Sequence, residues 1–455
     1  MLAAGTPAGE ALRAVLVALG FLGLFGIAEA WRRRGNPHPE LTRKLVHLGG
    51  GLGVAVFPWI FASPWTVLGL AVFFMALLAG SRRAGLMQSV HGVSRRSEGV
   101  VYYPLAVFLL FLVGHERPPL YLIAALTLVV SDTLAALVGS AYGRMTFAVD
   151  EEDRRSVEGS AVFFLTTFLA AQVPLLLLTD TERAACVLIA LQVALITTFF
   201  EAISLKGNDN LVVPLATYYL LVKMTPRDAD WMAVQLVTQL AVVGTMAWIA
   251  LRFRTLTMPG AIGASLFFYG ALSLGGWSWG LPPTLFLAAY IAVHRRTVHL
   301  LHEDDPRHQV RAVFWVCLVP TLLFLANNAL ATLLPGVPDE VRTAEPLFPL
   351  YLGALAGQLG ILLHLDLERW PRPVRAALPC ALAAWGLLVL PGPLLLPDCA
   401  PLALYIQSTV PAFGAPALFA GLRRVGSWDP YDPRVQAVAV AGATLVGLGL
   451  RLGLQ

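Results

Sequence analysis

The chain has 455 residues, 57% of them hydrophobic and only 13% charged, with a formal net charge of +4. A soluble domain carries about 25% charged residues, so a soluble fold is excluded, and no dense basic patch interleaved with aromatics marks a nucleic-acid partner. Apolar runs near the ~20-residue spanning length recur from end to end. In lipid the backbone satisfies itself as helices, so the expected fold is an all-α polytopic integral membrane protein.

About sixteen spans are expected. The first runs from near Glu10 to Ala30. Ala28-Glu29-Ala30 mimics a signal-peptidase site, but Trp31-Arg32-Arg33-Arg34 follows at once and Arg13 is the only basic residue before it. That charge placement predicts a retained span with its N-terminus outside. A second span begins at His38 to Leu48 and continues to Ile60, and a third covers Trp65 to Leu78. Gly49-Gly50-Gly51-Leu52-Gly53 lies inside the second; without a GxxxxGK[ST] pattern it reads as helix packing. Val101 to Val113, Leu120 to Tyr142, Val157 to Leu178, Ala184 to Ile203, Leu211 to Val222 and Trp231 to Leu251 complete the first half.

Arg252-Phe253-Arg254 divides the chain into two helical membrane domains, 1–253 and 254–455. The second is expected to hold Pro259 to Leu274, Trp277 to Val293, Val310 to Leu334, Leu347 to Leu363, Val374 to Leu395, Leu402 to Ala420 and Val435 to Leu452. Basic residues collect in alternate loops, from Arg32–Lys44 to Arg423–Arg434, which places those loops in the cytoplasm. The acidic run Asp150 to Asp153 reads as a solvated loop. Cys186, Cys317, Cys380 and Cys399 form no CxxC pair, so zinc and redox sites are not indicated.

One stretch breaks the rules of an apolar run. Ser131 to Arg144 places Asp132, Ala135, Ala136, Gly139 and Gly143 on one helical face. Small residues of this spacing suit helix packing, but an intramembrane carboxylate is costly unless paired, hydrated or bound to a cation. Other polar groups recur at helix ends expected on the same membrane face: Lys44 and His47, Glu98, Arg155-Ser156 with Glu158, Glu201, and Asp209-Asn210. Ser156 and Glu158 equally suit a helix N-terminus, and turn chemistry accounts for Gly207 and Asn208. Together the acids, with Lys44, Arg144 and Arg155, suit one chemistry. A nucleoside triphosphate needs a divalent cation held by carboxylates, cationic groups for its phosphates, and a carboxylate or His such as His47 to take the acceptor's proton.

The first half resembles the CTP-dependent polyprenol kinases, the membrane family of dolichol kinase and phytol kinase, and more distantly phosphatidate cytidylyltransferase. The resemblance rests on Arg43-Lys44-x-x-His47, Asp132-x-x-Ala135-x-x-x-Gly139-x-x-x-Gly143, Ser156-x-Glu158-Gly159-Ser160, Glu201 and Asp209-Asn210-x-x-x-Pro214, between about Pro39 and Tyr219. It implies transfer of the γ-phosphate of CTP to an isoprenoid alcohol with Mg2+ or another divalent cation. By the same resemblance Asp132, Gly139 and Gly143 belong to the nucleotide site, and Glu158, Gly159 and Ser160 complete it. Asp132, Glu158 and Asp209 are the expected metal ligands, and Asp132, Glu201, Asp209 and His47 the expected catalytic groups. Arg155 stands where the family often has Lys.

The second half is more weakly similar to the membrane family that includes phytyl-phosphate kinase, through Pro259-Gly260-Ala261, Gly275-Gly276-Trp277 and Arg307-x-Gln309-Val310. It lacks that family's Asp-Thr-x-x-x-Glu-x-Gly motif, having Gly357 to Asp366 there. His364, Asp366 and Glu368 read as cytoplasmic flank residues. The expected protein is therefore an integral-membrane lipid kinase, with the active site on the cytoplasmic side of a bacterial-type inner membrane and the lipid entering between helices. A cytidylyltransferase and a transporter are the alternatives.

Overall fold

A computed structural model describes residues 6–35, 37, 39–84, 89, 99–149, 153–205, 207–253, 256–297, 309–333, 345–368, 376–396, 400–426 and 428–453. Glu98, Asp150 to Glu152, Lys206 and Cys399 fall outside them. The chain forms two compact units, Met1–Val237 and Thr238–Gln455.

The first unit contains α1 (Pro7–Gly35), α2 (Pro39–Ala55), α3 (Phe57–Ile60), α4 (Pro64–Arg83), α5 (Gly99–Gly114), α6 (Pro118–Leu126) and α7 (Asp132–Tyr142). A π-helical turn, Thr127–Ser131, joins α6 to α7. A two-stranded hairpin follows, β1 (Thr146–Ala148) against β2 (Arg154–Ser156). Then come α8 (Val157–Leu178), α9 (Arg183–Ala202), α10 (Asp209–Met224) and the start of α11 (Ala229–Phe253).

The second unit adds α12 (Met258–Thr297), α13 (Val310–Leu333), α14 (Phe348–Glu368), α15 (Ala377–Leu388), α16 (Gly392–Leu395), α17 (Pro401–Val425) and α18 (Pro433–Gly453). Among the described residues twelve helices are long and apolar enough to cross a membrane, and the protein is a multi-pass membrane protein of almost wholly helical fold. The difference from sixteen has a local cause. At 17, 16 and 16 residues, α2, α5 and α10 are short for a span. Two expected spans run together in α12 across a kink at Gly276, whose φ of 66° only glycine adopts freely.

Helix α2 shows how a glycine run packs. Gly49 faces Leu24 of α1, and Gly50 and Gly53 face Phe21 of the same helix. Gly51 faces the other way, where a Cβ would fall inside the side chain of Val129 on the π turn. Tyr121 of α6 donates its hydroxyl to Val54 O at 3.1 Å and fixes the far end of the same contact. The close pass at Gly51 sets the depth and rotation of Lys44 and His47, which lie on the same helical face one and two turns earlier.

The second unit is built around α14, where every residue from Phe348 to Asp366 is buried. Gly353 and Gly357 admit α17 so closely that added methyl groups would meet Pro411 and Ser408. Gln358 donates to Gln436 of α18 at 2.9 Å. His364 and Asp366, expected as flank residues, are buried instead, and Asp366 Oδ2 lies 3.1 Å from His294 Nδ1 in a fully enclosed pair. Helix α14 extends past them to Glu368, and the helices packed round it exclude solvent where loop-charge reasoning placed a membrane boundary. Glu368 behaves more as expected, half-exposed and paired with Arg423 at 3.0 Å.

Gly51→Ala should lower stability by about 1–3 kcal/mol through overpacking against Val129. Gly50→Ala, whose methyl group would meet Phe21 at an ordinary 3.5 Å, should leave it within about 0.5 kcal/mol. Thermal unfolding of the two variants in detergent compares them directly.

Candidate active site

Four local devices bring the polar side chains of the first unit together. The first is the pass at Gly51, which carries Lys44 to Asp132. Lys44 Nζ donates to Asp132 Oδ2 at 2.5 Å and to the Asp132 carbonyl at 3.1 Å, and only 3% of Lys44 is exposed. The second is the π turn. Its wider backbone loop carries the Leu128 carbonyl, which lies 3.3 Å from His47 Nε2, and Asp132 Oδ2 lies at the same distance from that nitrogen. Such single-turn π segments are frequent at functional sites. Thr167 of α8 donates to Ser131 Oγ at 2.9 Å and ties the turn to the next helix.

The third device is the hairpin. Thr146 pairs with Ser156 and Phe147 with Arg155, so β2 delivers Arg155 inward immediately before α8 begins. The fourth is the turn from α9 to α10. It reverses at Gly207, whose φ of 85° lies in the left-handed region. Asn208 Oδ1 accepts from Leu205 N at 3.0 Å, and Asn210 donates to Gly207 O at 3.2 Å. The reversal brings Glu201 and Asp209 onto one guanidinium. Arg155 Nη1 meets Glu201 Oε1 at 2.7 Å, and Nη2 meets Asp209 Oδ2 at 3.1 Å and Ser204 Oγ at 3.3 Å.

Arg155 lies outside the spans, and its ionisation follows from this arrangement. Burial works against its charge, but Glu201 and Asp209 outweigh burial, with a further contribution from Asp132, so its pKa stands above the ordinary arginine value. Arg43, beside Lys44, is engaged by Glu40.

Five of the expected residues thus join Asp132 in one largely buried cluster of two groups, Lys44 and His47 on Asp132 and Glu201 and Asp209 on Arg155, whose charge Asp132 also favours. Several buried atoms around it have no hydrogen-bond partner, among them Glu201 Oε2, Arg155 Nε, Ser160 Oγ, Thr133 Oγ1 and Tyr103 OH. Buried polar atoms are satisfied in the great majority of cases, so such a concentration marks a place shaped for a ligand. Tyr103, whose ring centroid lies 5.1 Å from that of His47, did not stand out from sequence as a site residue. Its only signal was its place beside Glu98-Gly99 at a helix start.

The other expected site residues have different work. Glu158 is half-buried, and its Oε1 accepts the backbone N–H groups of Arg144 and Met145 at 3.0 and 3.1 Å. Expected as a metal ligand, it here anchors the start of the hairpin. Ser156 caps α8 by accepting Gly159 N–H at 3.1 Å. Gly139, Gly143 and Gly159, expected at the nucleotide, here face other parts of the chain. A Cβ on Gly139 would lie 2.8 Å from Ser156 Oγ, one on Gly159 3.1 Å from Ala135 O, and one on Gly143 2.8 Å from Ser156 Cβ. The space beside these glycines is filled by the crossing of α7 and α8. The Arg144 side chain is exposed. Asn210 bonds within its own turn.

Among the described residues, no three His, Cys, Asp or Glu side chains are gathered as a ready metal site. The donor types nevertheless suit a hard divalent cation in kind. Glu201 and Asp209 meet on Arg155 and Asp132 is held separately by Lys44, one buried oxygen of Glu201 is unpartnered, and magnesium usually completes its shell with substrate phosphates and water.

Arg155→Met should cost about 3–5 kcal/mol, because it leaves Glu201 and Asp209 buried without their counter-charge. Arg144→Met should stay within about 0.5 kcal/mol. Unfolding of the detergent-solubilised variants measures both.

Comparison with known proteins adds one relative. The chain is 33% identical over 194 residues to a curated phytol kinase of Synechocystis sp., a match covering 82% of that relative and 42% of this chain. No family model and no solved structure matches. Identity at this level over four-fifths of the relative's length goes well beyond shared membrane-helix composition, and the chain belongs to the phytol kinase family.

Proposed function

We propose that the protein is an integral-membrane lipid kinase that transfers the γ-phosphate of CTP to the hydroxyl of an isoprenoid alcohol of the phytol type. The observation that carries this reading is the buried cluster of Lys44, His47, Asp132, Arg155, Glu201 and Asp209 in a chain of the phytol kinase family. The alternating distribution of basic loops supports a cytoplasmic position for this cluster, where the nucleotide is available.

Phosphoryl transfer asks a protein mainly for positioning and charge neutralisation. Lys44 and Arg155 are the cations within the cluster that are suited to phosphate oxygens. Each is held by carboxylates, so nucleotide binding exchanges partners: the cations turn to phosphate and the carboxylates are released. Asp132, Glu201 and Asp209 are the side chains that would hold a divalent cation, whose chemistry is to neutralise the developing charge on the phosphates. Asp132 also accepts from Lys44 and faces His47 Nε2, which makes it the hub of the site. His47 is the group placed to take a proton from the acceptor.

Purified protein in detergent should transfer label from [γ-32P]CTP to phytol, with no cytidine label in the lipid. Cytidine label in the lipid would make it a cytidylyltransferase. Asp132→Asn, which keeps the shape of the side chain, should lower turnover at least about 100-fold, within the usual range for removing a proton-transfer or charge-holding group. Wild-type turnover in that variant would leave Asp132 a packing residue.

A further inference from the structure

We infer that His47 and Tyr103 form the binding site for the acceptor's hydroxyl group, with Tyr103 as the group that holds the alcohol oxygen. This inference rests on the lipid-kinase reading above and names residues for its acceptor side.

The surroundings of His47 fix its tautomer. Its Nε2 lies 3.3 Å from the Leu128 carbonyl and 3.3 Å from Asp132 Oδ2. A carbonyl oxygen only accepts, and so does a carboxylate. Nε2 therefore carries the hydrogen, and Nδ1 is left with a free lone pair. The carbonyl and carboxylate fix the ring as the second groups of hydrogen-bonded bases generally do.

Tyr103 supplies the complementary half. Its ring packs edge-on against the His47 imidazole, and its hydroxyl is buried with no hydrogen-bond partner. An unpartnered buried hydroxyl costs about 1–3 kcal/mol. Neighbouring tyrosines do not carry that cost: Tyr121 donates to Val54 O at 3.1 Å and Tyr218 to Val113 O at 2.7 Å. Tyr103 is the exception, and it stands beside the one base of the cluster. A free acceptor on His47 and a free donor on Tyr103 match the two faces of a hydroxyl. The alcohol O–H donates to His47 Nδ1 while its oxygen accepts from the Tyr103 O–H.

The alcohol is thereby held with its oxygen toward Tyr103 and its hydrogen toward His47, beside the carboxylate of Asp132.

The test compares wild type with Tyr103→Phe in detergent, using phytol and phytyl methyl ether, which lacks the hydroxyl hydrogen. In wild type, phytol should raise the thermal midpoint more than the ether does. Tyr103→Phe should match or exceed the ligand-free stability of wild type, because it removes an unpartnered group. Its KM for phytol should rise about 5–10-fold, the range expected for one lost hydrogen bond, with KM for CTP unchanged. A wild-type KM for phytol, or a loss of ligand-free stability, overturns the assignment and leaves the kinase reading standing. If wild type phosphorylates no isoprenoid alcohol, the kinase reading falls first and takes this one with it.

Discussion

Buried charge is the constraint on which the first unit depends. Lys44, Asp132, Arg155, Glu201 and Asp209 sit among apolar helices, where an ion without its partner is strongly destabilising. Two cations against three carboxylates leave one negative charge over. Folding can tolerate that imbalance because Arg155 spans two acids and Lys44 is placed on the third. The same imbalance makes the cluster receptive to further positive charge, and its paired cations can be drawn away by phosphate. A site held together in this way is stable when empty and adaptable when filled.

Each pair is delivered by backbone geometry. The close pass at Gly51 and the π turn set the Lys44–Asp132–His47 group. The hairpin and the reversal at Gly207 set the Arg155–Glu201–Asp209 group. Glu158 and Ser156 contribute by holding the hairpin and the start of α8. Through these backbone contacts they support the placing of Arg155.

Much of this was legible in the residues, for physical reasons. Acids at the ends of apolar runs are costly, so Asp132, Glu201 and Asp209 stood out, and their cationic partners were found at matching ends. The glycines were less legible, because the spacing that lets a nucleotide approach a helix also lets another helix approach it; only the position of Ser156 against Gly139 and Gly143 decides between them. Glu158 was ambiguous in a similar way, since an acid near a helix start serves backbone amides as readily as metal. The π turn leaves no trace in hydrophobic periodicity, and Tyr103 looks like any aromatic at a membrane boundary. In the second unit, loop charge marked where α14 ends but not that its neighbours enclose His364 and Asp366.

The enclosure of α14 has a consequence for biogenesis. Helices α12 and α13 precede α14, and α12 carries His294, the partner of Asp366, but α15, α17 and α18 follow it, so it is synthesised before part of its enclosure. Gln436, which receives the Gln358 hydrogen bond, lies 78 residues downstream. At the usual pace of about 5–20 residues per second, roughly 4–16 s pass before that partner exists. During that interval Gln358 must be sheltered by earlier helices, by water at the translocon or by a chaperone, whereas Asp366 already has His294. Assembly of the second unit therefore has an order written into it, with α12 and α13 made before its centre and the remaining walls last.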